Sequence, residues 1–342
     1  MSSVDSMPAL YPTSSHISDG SGVVLSKNSS THPINISWMI PDEYIPFVSV
    51  TRLPDSVDLF DLLATPAAFE HEARRISEAL SSPEAIQRAG GLLGNLALSS
   101  CPGKKVRLSG PVRGRASINR DLDLDFQRLR SFGITTVVCC LNDEELTFLG
   151  APWPKYHELA TKNSIDIIRL PMIEGSCPDT VEEIDSVVDE VTRRMKTGQN
   201  VLAHCRGGVG RAGLFACCWL LKNLYCLSPE RAIRFVRIRR SPKAIETMQQ
   251  AEFIVQYAEY VGRALERQSM AEVRARMMLQ RERERERERI ALMQIMAQRR
   301  GSREEQMGMP GMPPLTPVPG PFESGSSVAI TKSAMLLKRN SL

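Results

Sequence analysis

The chain has 342 residues, of which 42% are hydrophobic and 24% are charged, and its formal net charge is +4. This length and apolar content predict one or two globular domains with a sizeable core. The small positive charge argues against nucleic-acid binding, although it suits a phosphorylated protein partner. All apolar runs are shorter than the roughly 20 residues of a membrane-spanning helix, so we expect no membrane span.

The eight cysteines include two adjacent pairs within apolar runs, Cys139–Cys140 and Cys217–Cys218. Adjacent cysteines in apolar surroundings are typical of buried thiols and not of the disulfide framework of a secreted domain. The N-terminal sequence also lacks the basic and apolar regions of a signal peptide. We therefore expect the protein in a reducing compartment, the cytoplasm, the nucleus or both.

The first 90 residues change character twice. Residues 1–32 are rich in Ser, Gly and Thr without apolar periodicity, and we expect them to be a disordered N-terminal tail. From Ile34 the segment INISWMI alternates in hydrophobicity and predicts an entering strand. Residues 41–90 are dominated by Ala, Leu and Glu, which predicts a helical insert.

Beyond the insert, short apolar runs rich in β-branched residues alternate with helical patterns. The predicted strands cover residues 134–141, 165–170 and 200–205. Strands separated by helices imply an α/β domain with a mostly parallel central sheet that is flanked by helices on both faces. We assign this domain to residues 33–265.

Two helices in this domain have predictable starts. Asp179 and Glu182 have the D-x-x-E spacing of a capping box, and Ser228 precedes Pro229 as a cap residue precedes a first helical proline. Three aspartates in the segment DLDLDF lie two residues apart without His or Gly, which favours a charged helix start over a metal site. These are Asp121, Asp123 and Asp125.

The C-terminal region is expected to form a charged helix and then a tail. Arg and Glu alternate strictly from Arg281 to Arg289, which places opposite charges three residues apart and like charges four apart on a helix. Ion-pair support is therefore partial, and we predict a solvated helix over residues 266–300. Residues 301–342 are rich in Pro, Gly, Met and Ser and are predicted to be disordered.

The segment HCRGGVGRAG, residues 204–213, follows a predicted buried strand and precedes a long apolar run that predicts a helix. Its glycines let backbone N–H groups approach an anion, and a helix N-terminus would add to the positive potential. The same groups stabilise a thiolate at Cys205, which can attack phosphorus. Arg211 has a planar fork that matches two phosphate oxygens.

These residues together predict a phosphate-binding loop with Cys205 as nucleophile. The alternative interpretation is a glycine-rich turn around a buried cysteine. His204 is expected to support the loop by hydrogen bonding and not to act as a base. The predicted phosphate-binding residues are Arg206, Gly207, Gly208, Val209, Gly210 and Arg211.

The string H-C-x-x-G-x-x-R resembles the motif of protein tyrosine and dual-specificity phosphatases. Further segments in the same order make residues 33–260 similar to the kinase-associated branch of that family, apart from a block of about 50 residues after Ile40. They are residues 33–39, 96–106, 139–140, 171–179, 228–233 and 244–250. The resemblance implies hydrolysis of phosphothreonine, phosphoserine or phosphotyrosine through a phosphocysteine, without metal or cofactor, and a cyclin-dependent kinase as substrate.

The resemblance also implies a general acid, an aspartate in the setting D-G-x-x-P, and here Glu174 stands in that position. Such a carboxylic acid protonates the departing oxygen of the substrate. Asp179 is the other acid nearby, and its predicted capping position favours a structural role. Ala212 replaces the Ser or Thr whose hydroxyl helps the thiolate to leave, so we expect slow breakdown of the phosphoenzyme.

Two further pairs have open interpretations. Gln249 and Gln250 match glutamines that position the hydrolytic water in related enzymes, or they are polar residues at a helix start. Cys139 or Cys140 would form a protecting disulfide with Cys205 on oxidation, or both are core thiols.

Two other functions compete with protein phosphatase activity. Phosphoinositide phosphatases carry two basic residues within this loop, whereas this chain has Arg206 and then Val209. A phosphate-binding pseudophosphatase is favoured by the departures at Glu174 and Ala212. It is disfavoured because the chain retains both the cysteine and the arginine of the motif.

Overall fold

The computed structural model describes residues 26–50, 57–112 and 114–306. The chain divides into two compact units, Met1–Met270 and Ala271–Leu342. The first unit contains the α/β domain. Among the described residues, no helix is both long and apolar enough to cross a membrane.

The first unit is built on a five-stranded sheet with the order β1-β2-β7-β5-β6, next to a separate two-stranded sheet of β3 and β4. The strands are β1 Ser37–Trp38, β2 Leu96–Ser100, β3 Lys105–Val106, β4 Ile118–Asn119, β5 Ile134–Cys139, β6 Asp166–Arg169 and β7 Asn200–Cys205. β1 is antiparallel to β2, and the pairs β2–β7, β5–β7 and β5–β6 are parallel. The predicted mostly parallel α/β sheet is confirmed.

Two groups of helices pack against this sheet. One group joins α8, α9 and α10, and the other pairs α5 with α7. The helices are α1 Ile45–Val50, α2 Leu59–Ala64, α3 Pro66–Ala79, α4 Pro83–Arg88, α5 Leu122–Ser131, α6 Asp143–Phe148, α7 Trp153–Lys162, α8 Val181–Lys196, α9 Arg211–Lys222, α10 Pro229–Arg239 and α11 Met248–Gln306. β7 lies at the centre, where its residues after Asn200 are all buried. The predicted strand over 200–205 therefore has the predicted bounds.

The predicted helical insert contains a 3-10 turn, Asp42–Tyr44, and the helices α1 to α4. Its apolar side chains belong to the same core as those of the sheet, and Leu59 and Leu62 are completely buried. Asp58 caps α2 and is also completely buried, where it accepts two hydrogen bonds of 2.6 Å from Arg231 of α10. The insert is thus anchored by burial and by a paired charge.

The predicted disordered tail is wrong in its last residues. Lys27 donates its backbone N–H to Ser117 O at 3.0 Å, and its carbonyl accepts from Asn119 N at 2.9 Å. These bonds place residues 26–32 on the domain because they satisfy backbone groups at the edge of the β3–β4 ribbon. Residues 1–25 lie outside the described residues.

The predicted cap of α8 is displaced by one residue. Thr180, and not Asp179, has the extended backbone of a cap, and its hydroxyl accepts from Glu183 N at 3.2 Å. Both residue types make good caps, so the choice depends on where the chain enters the helix. The start of α10 is as predicted, with Ser228 accepting from the Arg231 backbone at 3.3 Å.

The charged segment over 266–300 is helical, but it continues the helix that begins at Met248. The helix also runs to Gln306, so the predicted tail is wrong for residues 301–306. Gly301 costs a helix only about 1 kcal/mol, and the neighbouring Arg, Glu and Gln residues favour helix. Residues 307–342 lie outside the described residues.

Candidate active site

The segment between β7 and α9, residues 205–211, is called the phosphate loop below. It leaves the carboxyl end of the central strand and enters the first turn of α9, which has no side-chain cap. Open sheets place their ligand sites at this edge, and uncapped N–H groups of a helix are free to bind an anion. The sheet and α9 therefore present the predicted loop where an anion could bind.

Cys205 lies within the phosphate loop with 4% of its surface exposed. The Gly208 N–H donates to its Sγ at 3.2 Å. Gly208 has a φ of +70°, and a Cβ at this position would collide with the carbonyl oxygen of Ser99 on β2. Only glycine lets the loop turn this close to the neighbouring strand.

Arg211 is buried at the start of α9 and binds the side chain of Glu145 in a fork-to-fork arrangement. Its Nη1 donates to Glu145 Oε2 at 2.6 Å and to the Met172 carbonyl at 2.7 Å, and its Nη2 donates to Glu145 Oε1 at 2.9 Å. A guanidinium has five N–H groups. Within the described chain these contacts use three of them, so Nε and one N–H of Nη2 remain on the same side for two phosphate oxygens.

Glu145 was not identified by the sequence analysis. It lies in the first turn of α6, where Asn142 caps the helix by accepting from Glu145 N at 2.8 Å. Its position was the available signal, because the acidic run N-D-E-E begins three residues after the end of β5, the strand beside β7. Carboxyl ends of adjacent parallel strands meet at one edge of the sheet, and there Glu145 orients the arginine.

Two more basic residues that the sequence analysis missed hold the phosphate loop from outside. Arg240, at the end of α10, donates to Gly208 O at 2.9 Å and to Gly207 O at 3.1 Å. Lys104 Nζ donates to Arg206 O at 3.1 Å. Burial lowers the pKa of both side chains. Because these cations bind the loop carbonyls, the N–H groups are left for an anion.

His204 is completely buried beneath the phosphate loop. Its Nε2 lies 2.7 Å from the Tyr156 hydroxyl, and burial lowers the pKa of the imidazole to about 3. The ring is therefore neutral at physiological pH and is positioned as a packed, hydrogen-bonded support. Ala212 is also completely buried, in the first turn of α9.

Residues 171–179, called the acid loop below, connect β6 to α8 and carry Glu174. The Glu174 side chain is 60% exposed, and its Oε2 lies 3.1 Å from Arg206 Nη1. A cavity of about 240 Å³ opens between the two loops and α6. It is lined by Glu144, Glu145, Phe148, Leu149, Glu174 and Arg206. Glu174 therefore borders a cleft next to the phosphate loop, whereas Asp179 is exposed just before α8.

The two glutamines at the start of α11 have different surroundings. Gln250 is buried, donates to the Ser176 carbonyl at 3.1 Å and accepts from Glu246 N at 2.9 Å. Gln249 is exposed and hydrogen-bonds the Cys177 thiol. Both contacts tie the acid loop to α11. Next to them, the carboxylate of Glu246 occupies the space above Gly210 of the phosphate loop.

The three aspartates of the DLDLDF segment do not converge. Asp121 caps α5 by accepting from Leu124 N at 2.9 Å, so the predicted charged helix start is confirmed. Asp123 pairs with Lys162, and the buried Asp125 accepts from Gly103 N at 2.9 Å. Asp125 thereby fixes the turn that carries Lys104. Across the described ranges, no cluster of His, Cys, Asp or Glu is arranged for a metal ion.

All eight cysteines are free thiols, and Cys139 and Cys140 are completely buried. Burial raises the pKa of Cys139 to about 11 and raises that of Cys140 as well. A protonated thiol is a poor nucleophile for disulfide formation. These surroundings favour the interpretation of both residues as core thiols.

Comparison with known proteins gives a consistent result. The family model described as "Swiss Army Knife protein, DSP-PTPase phosphatase domain" matches residues 116–254. Human cyclin-dependent kinase inhibitor 3 is 29% identical over 167 residues, which cover 49% of this chain and 72% of that protein. An uncharacterized protein of Methanocaldococcus jannaschii is 32% identical over 108 residues, covering 29% of this chain and 71% of that protein.

A similar solved structure is that of kinase-associated phosphatase with its catalytic cysteine replaced by serine. It is 27% identical with a TM-score of 0.44, and the match covers 49% of this chain and 88% of that chain.

Proposed function

Because this chain belongs to the family of cysteine-dependent dual-specificity and tyrosine phosphatases, we propose that it hydrolyses phosphothreonine, phosphoserine or phosphotyrosine in a protein. Cys205 attacks phosphorus, the bond from phosphorus to the substrate oxygen breaks, and a phosphocysteine forms. Water then attacks the phosphocysteine, the bond from phosphorus to sulfur breaks, and inorganic phosphate is released. These steps use no metal or cofactor.

One observation carries this proposal: the arrangement of donors around Cys205. The thiol lies beside the Gly208 N–H, and the free edge of the Arg211 guanidinium is fixed by Glu145. Donors that are held in place before the reaction stabilise the charge that develops on the phosphoryl oxygens. A loop that only bound phosphate would need the donors but not the thiol.

We assign the role of general acid to Glu174. It borders the cleft beside the phosphate loop, and its pairing with Arg206 holds the carboxyl group at the rim. A carboxylic acid at this place protonates the departing substrate oxygen, which contributes typically 10²- to 10⁴-fold to a rate. Ala212 offers no hydroxyl to the departing thiolate, so phosphoenzyme breakdown limits turnover.

The likeness to cyclin-dependent kinase inhibitor 3 supports a phosphorylated cyclin-dependent kinase as substrate. The exposed Phe148 and the cation of Arg206 at the mouth of the site suit a polypeptide substrate. The free thiols support a reducing compartment, cytoplasmic or nuclear.

The experiment compares the purified chain with a Cys205→Ser variant on phosphothreonine and phosphotyrosine peptides, a phosphorylated cyclin-dependent kinase and soluble phosphoinositides. We expect turnover of the phosphoproteins and a loss of roughly 10⁴-fold or more in the variant, because serine is a far weaker nucleophile. Faster hydrolysis of phosphoinositides than of every phosphopeptide would contradict the proposed substrate class. Binding of phosphopeptide without any turnover would contradict the enzymatic role.

A further inference from the structure

Three glutamates surround the phosphate loop, and one of them has no part in the steps described so far. Glu145 binds Arg211, and Glu174 binds Arg206. The carboxylate of Glu246 lies instead against the backbone of the loop. A methyl group added to Gly210 would collide with Glu246 Oε2 and would lie 3.2 Å from its Cδ. A proton acceptor is thus held next to the residue that precedes the phosphate-binding arginine.

The backbone around Glu246 is built to keep it there. Ile245 has a φ of +61°, which is unusual for a β-branched residue and shows that the surroundings impose this turn. The Glu246 N–H donates to the side chain of the buried Gln250 at 2.9 Å. Thr247 then donates to the Gly175 carbonyl of the acid loop at 2.8 Å. These contacts fix the chain on both sides of Glu246, and its carboxylate lies against Gly210 of the phosphate loop.

The two glutamines next in the chain are less suited to act on water. Gln250 uses its amide oxygen for Glu246 N and its amide nitrogen for Ser176 O. Gln249 uses its side chain for a hydrogen bond with the Cys177 thiol of the acid loop. An amide can orient a water molecule but does not accept a proton from it at neutral pH, whereas a carboxylate does both.

We infer that Glu246 accepts the proton of the water that hydrolyses the phosphocysteine at Cys205; this inference rests on the proposed function. The water oxygen forms a bond to phosphorus while the bond from phosphorus to Sγ breaks. The electron pair of that bond returns to Cys205 as a thiolate, and the water proton moves to the Glu246 carboxylate. Glu174 serves the first step and Glu246 the second.

Because of Ala212, the separate roles of Glu174 and Glu246 can be distinguished by measuring the rates of phosphoenzyme formation and breakdown. It offers no hydroxyl to the departing thiolate, so the second step is the slow one. A residue that acts on the slow step controls kcat, and it leaves the rate of phosphoenzyme formation unchanged. A residue that only shapes the phosphate loop would change both rates, because both steps use the same donors.

The test measures the two steps separately in the full chain by rapid quench with a radiolabelled phosphopeptide. Glu246→Gln keeps the shape of the side chain and its backbone contacts but removes the proton acceptor. Glu252→Gln is the matched control, since Glu252 is an exposed glutamate six residues further on, in α11. We expect Glu246→Gln to form phosphoenzyme at the wild-type rate, with a burst near one equivalent, and then to release phosphate roughly 10²-fold more slowly. Glu252→Gln should behave as wild type.

Other outcomes overturn the inference in distinguishable ways. Release of phosphate at the wild-type rate by Glu246→Gln would remove Glu246 from the second step and leave the proposed function intact. Equal slowing of formation and breakdown would make Glu246 a support of the loop. If the wild-type chain forms no phosphoenzyme with any substrate, the proposed function fails and the inference fails with it. A melting curve for each variant shows that the folded enzyme is being compared.

Discussion

The phosphate loop and the acid loop lie side by side but are built in opposite ways. Cys205 and Arg211 are almost completely buried, and the side chains of Lys104 and Arg240 bind the backbone of the phosphate loop from outside. In the acid loop Glu174 and Ile173 point outward, and Ile173 is 75% exposed. The proposed nucleophile and the proposed phosphate-binding arginine thus lie on a rigid support, whereas the proposed proton donor lies at the surface.

The protein alone therefore fixes the phosphate-binding donors, whereas the surroundings of Glu174 are complete only when a substrate is bound. Electrostatic stabilisation needs donors that do not move during the reaction. A proton donor needs only to reach the departing oxygen, and a bound polypeptide would exclude water around Glu174. Three predictions test the contrast, from the largest expected effect to the smallest.

Two glycines, one in each loop, provide the sharpest test. Gly208→Ala should lower kcat/KM by roughly 10³-fold, because its Cβ would collide with the backbone of Ser99 and displace donors from the phosphate. Gly175→Ala also introduces a side chain at positive φ, but its Cβ would make only an ordinary 3.5 Å contact with Thr247. It should cost about 1 kcal/mol of stability and little activity. Steady-state kinetics and melting curves measure both, and equal losses would show that the loops are equally rigid.

The second prediction concerns the exposed acid. Glu174→Gln should slow hydrolysis of a phosphothreonine peptide by roughly 10²-fold, because an alkoxide leaves poorly without a proton. An aryl phosphate with a nitrophenolate leaving group should be affected much less. Asp179→Asn is the matched control, since Asp179 is exposed at the end of the same loop. A larger effect in the control than in Glu174→Gln would transfer the acid role to Asp179.

The third prediction uses the pH dependence of stability. Burial lowers the pKa of His204 to about 3 from its ordinary 6.5, so the unfolded chain binds a proton near pH 5 and the folded chain does not. The free energy of unfolding should therefore fall by about 2 kcal/mol from this residue as the pH decreases from 7 to 5.

Urea denaturation at the two pH values measures this contribution of His204. His204→Gln should remove most of it, whereas substitution of the exposed His157 should not. An unchanged pH dependence in His204→Gln would show that this histidine does not carry the effect.

Much of the fold follows from local patterns in the sequence. The strand over 200–205 and the glycine-rich turn after it were predictable. The apolar residues of the strand, the glycines of the turn and the apolar start of the next helix follow one another in a single segment. The choice between Thr180 and Asp179 as the cap of α8 was not predictable. Both side chains can cap a helix, and which one does so depends on where the chain enters the helix. The helical state of residues 301–306 shows the same limit at a helix end.

The site was predictable only where its residues lie in one segment. Cys205 and Arg211 occur in one motif, whereas Glu145 and Arg240 reach the phosphate loop from other parts of the chain. One acidic residue in N-D-E-E and one basic residue in R-I-R-R look like any charged surface until the sheet brings them together. Glu246 has no local signal either, because a glutamate just before a helix is a common surface residue.

The anchoring of the insert has a practical consequence for work with shortened chains. Leu59 and Leu62 complete the core, and Asp58 neutralises Arg231 on the helix whose end carries Arg240. A chain trimmed of this block would expose an apolar surface and leave the cation of Arg231 without its partner. It should aggregate on expression. The folded domain therefore depends on the insert. We expect the smallest active fragment of this protein to be larger than residues 116–254, which match the family model.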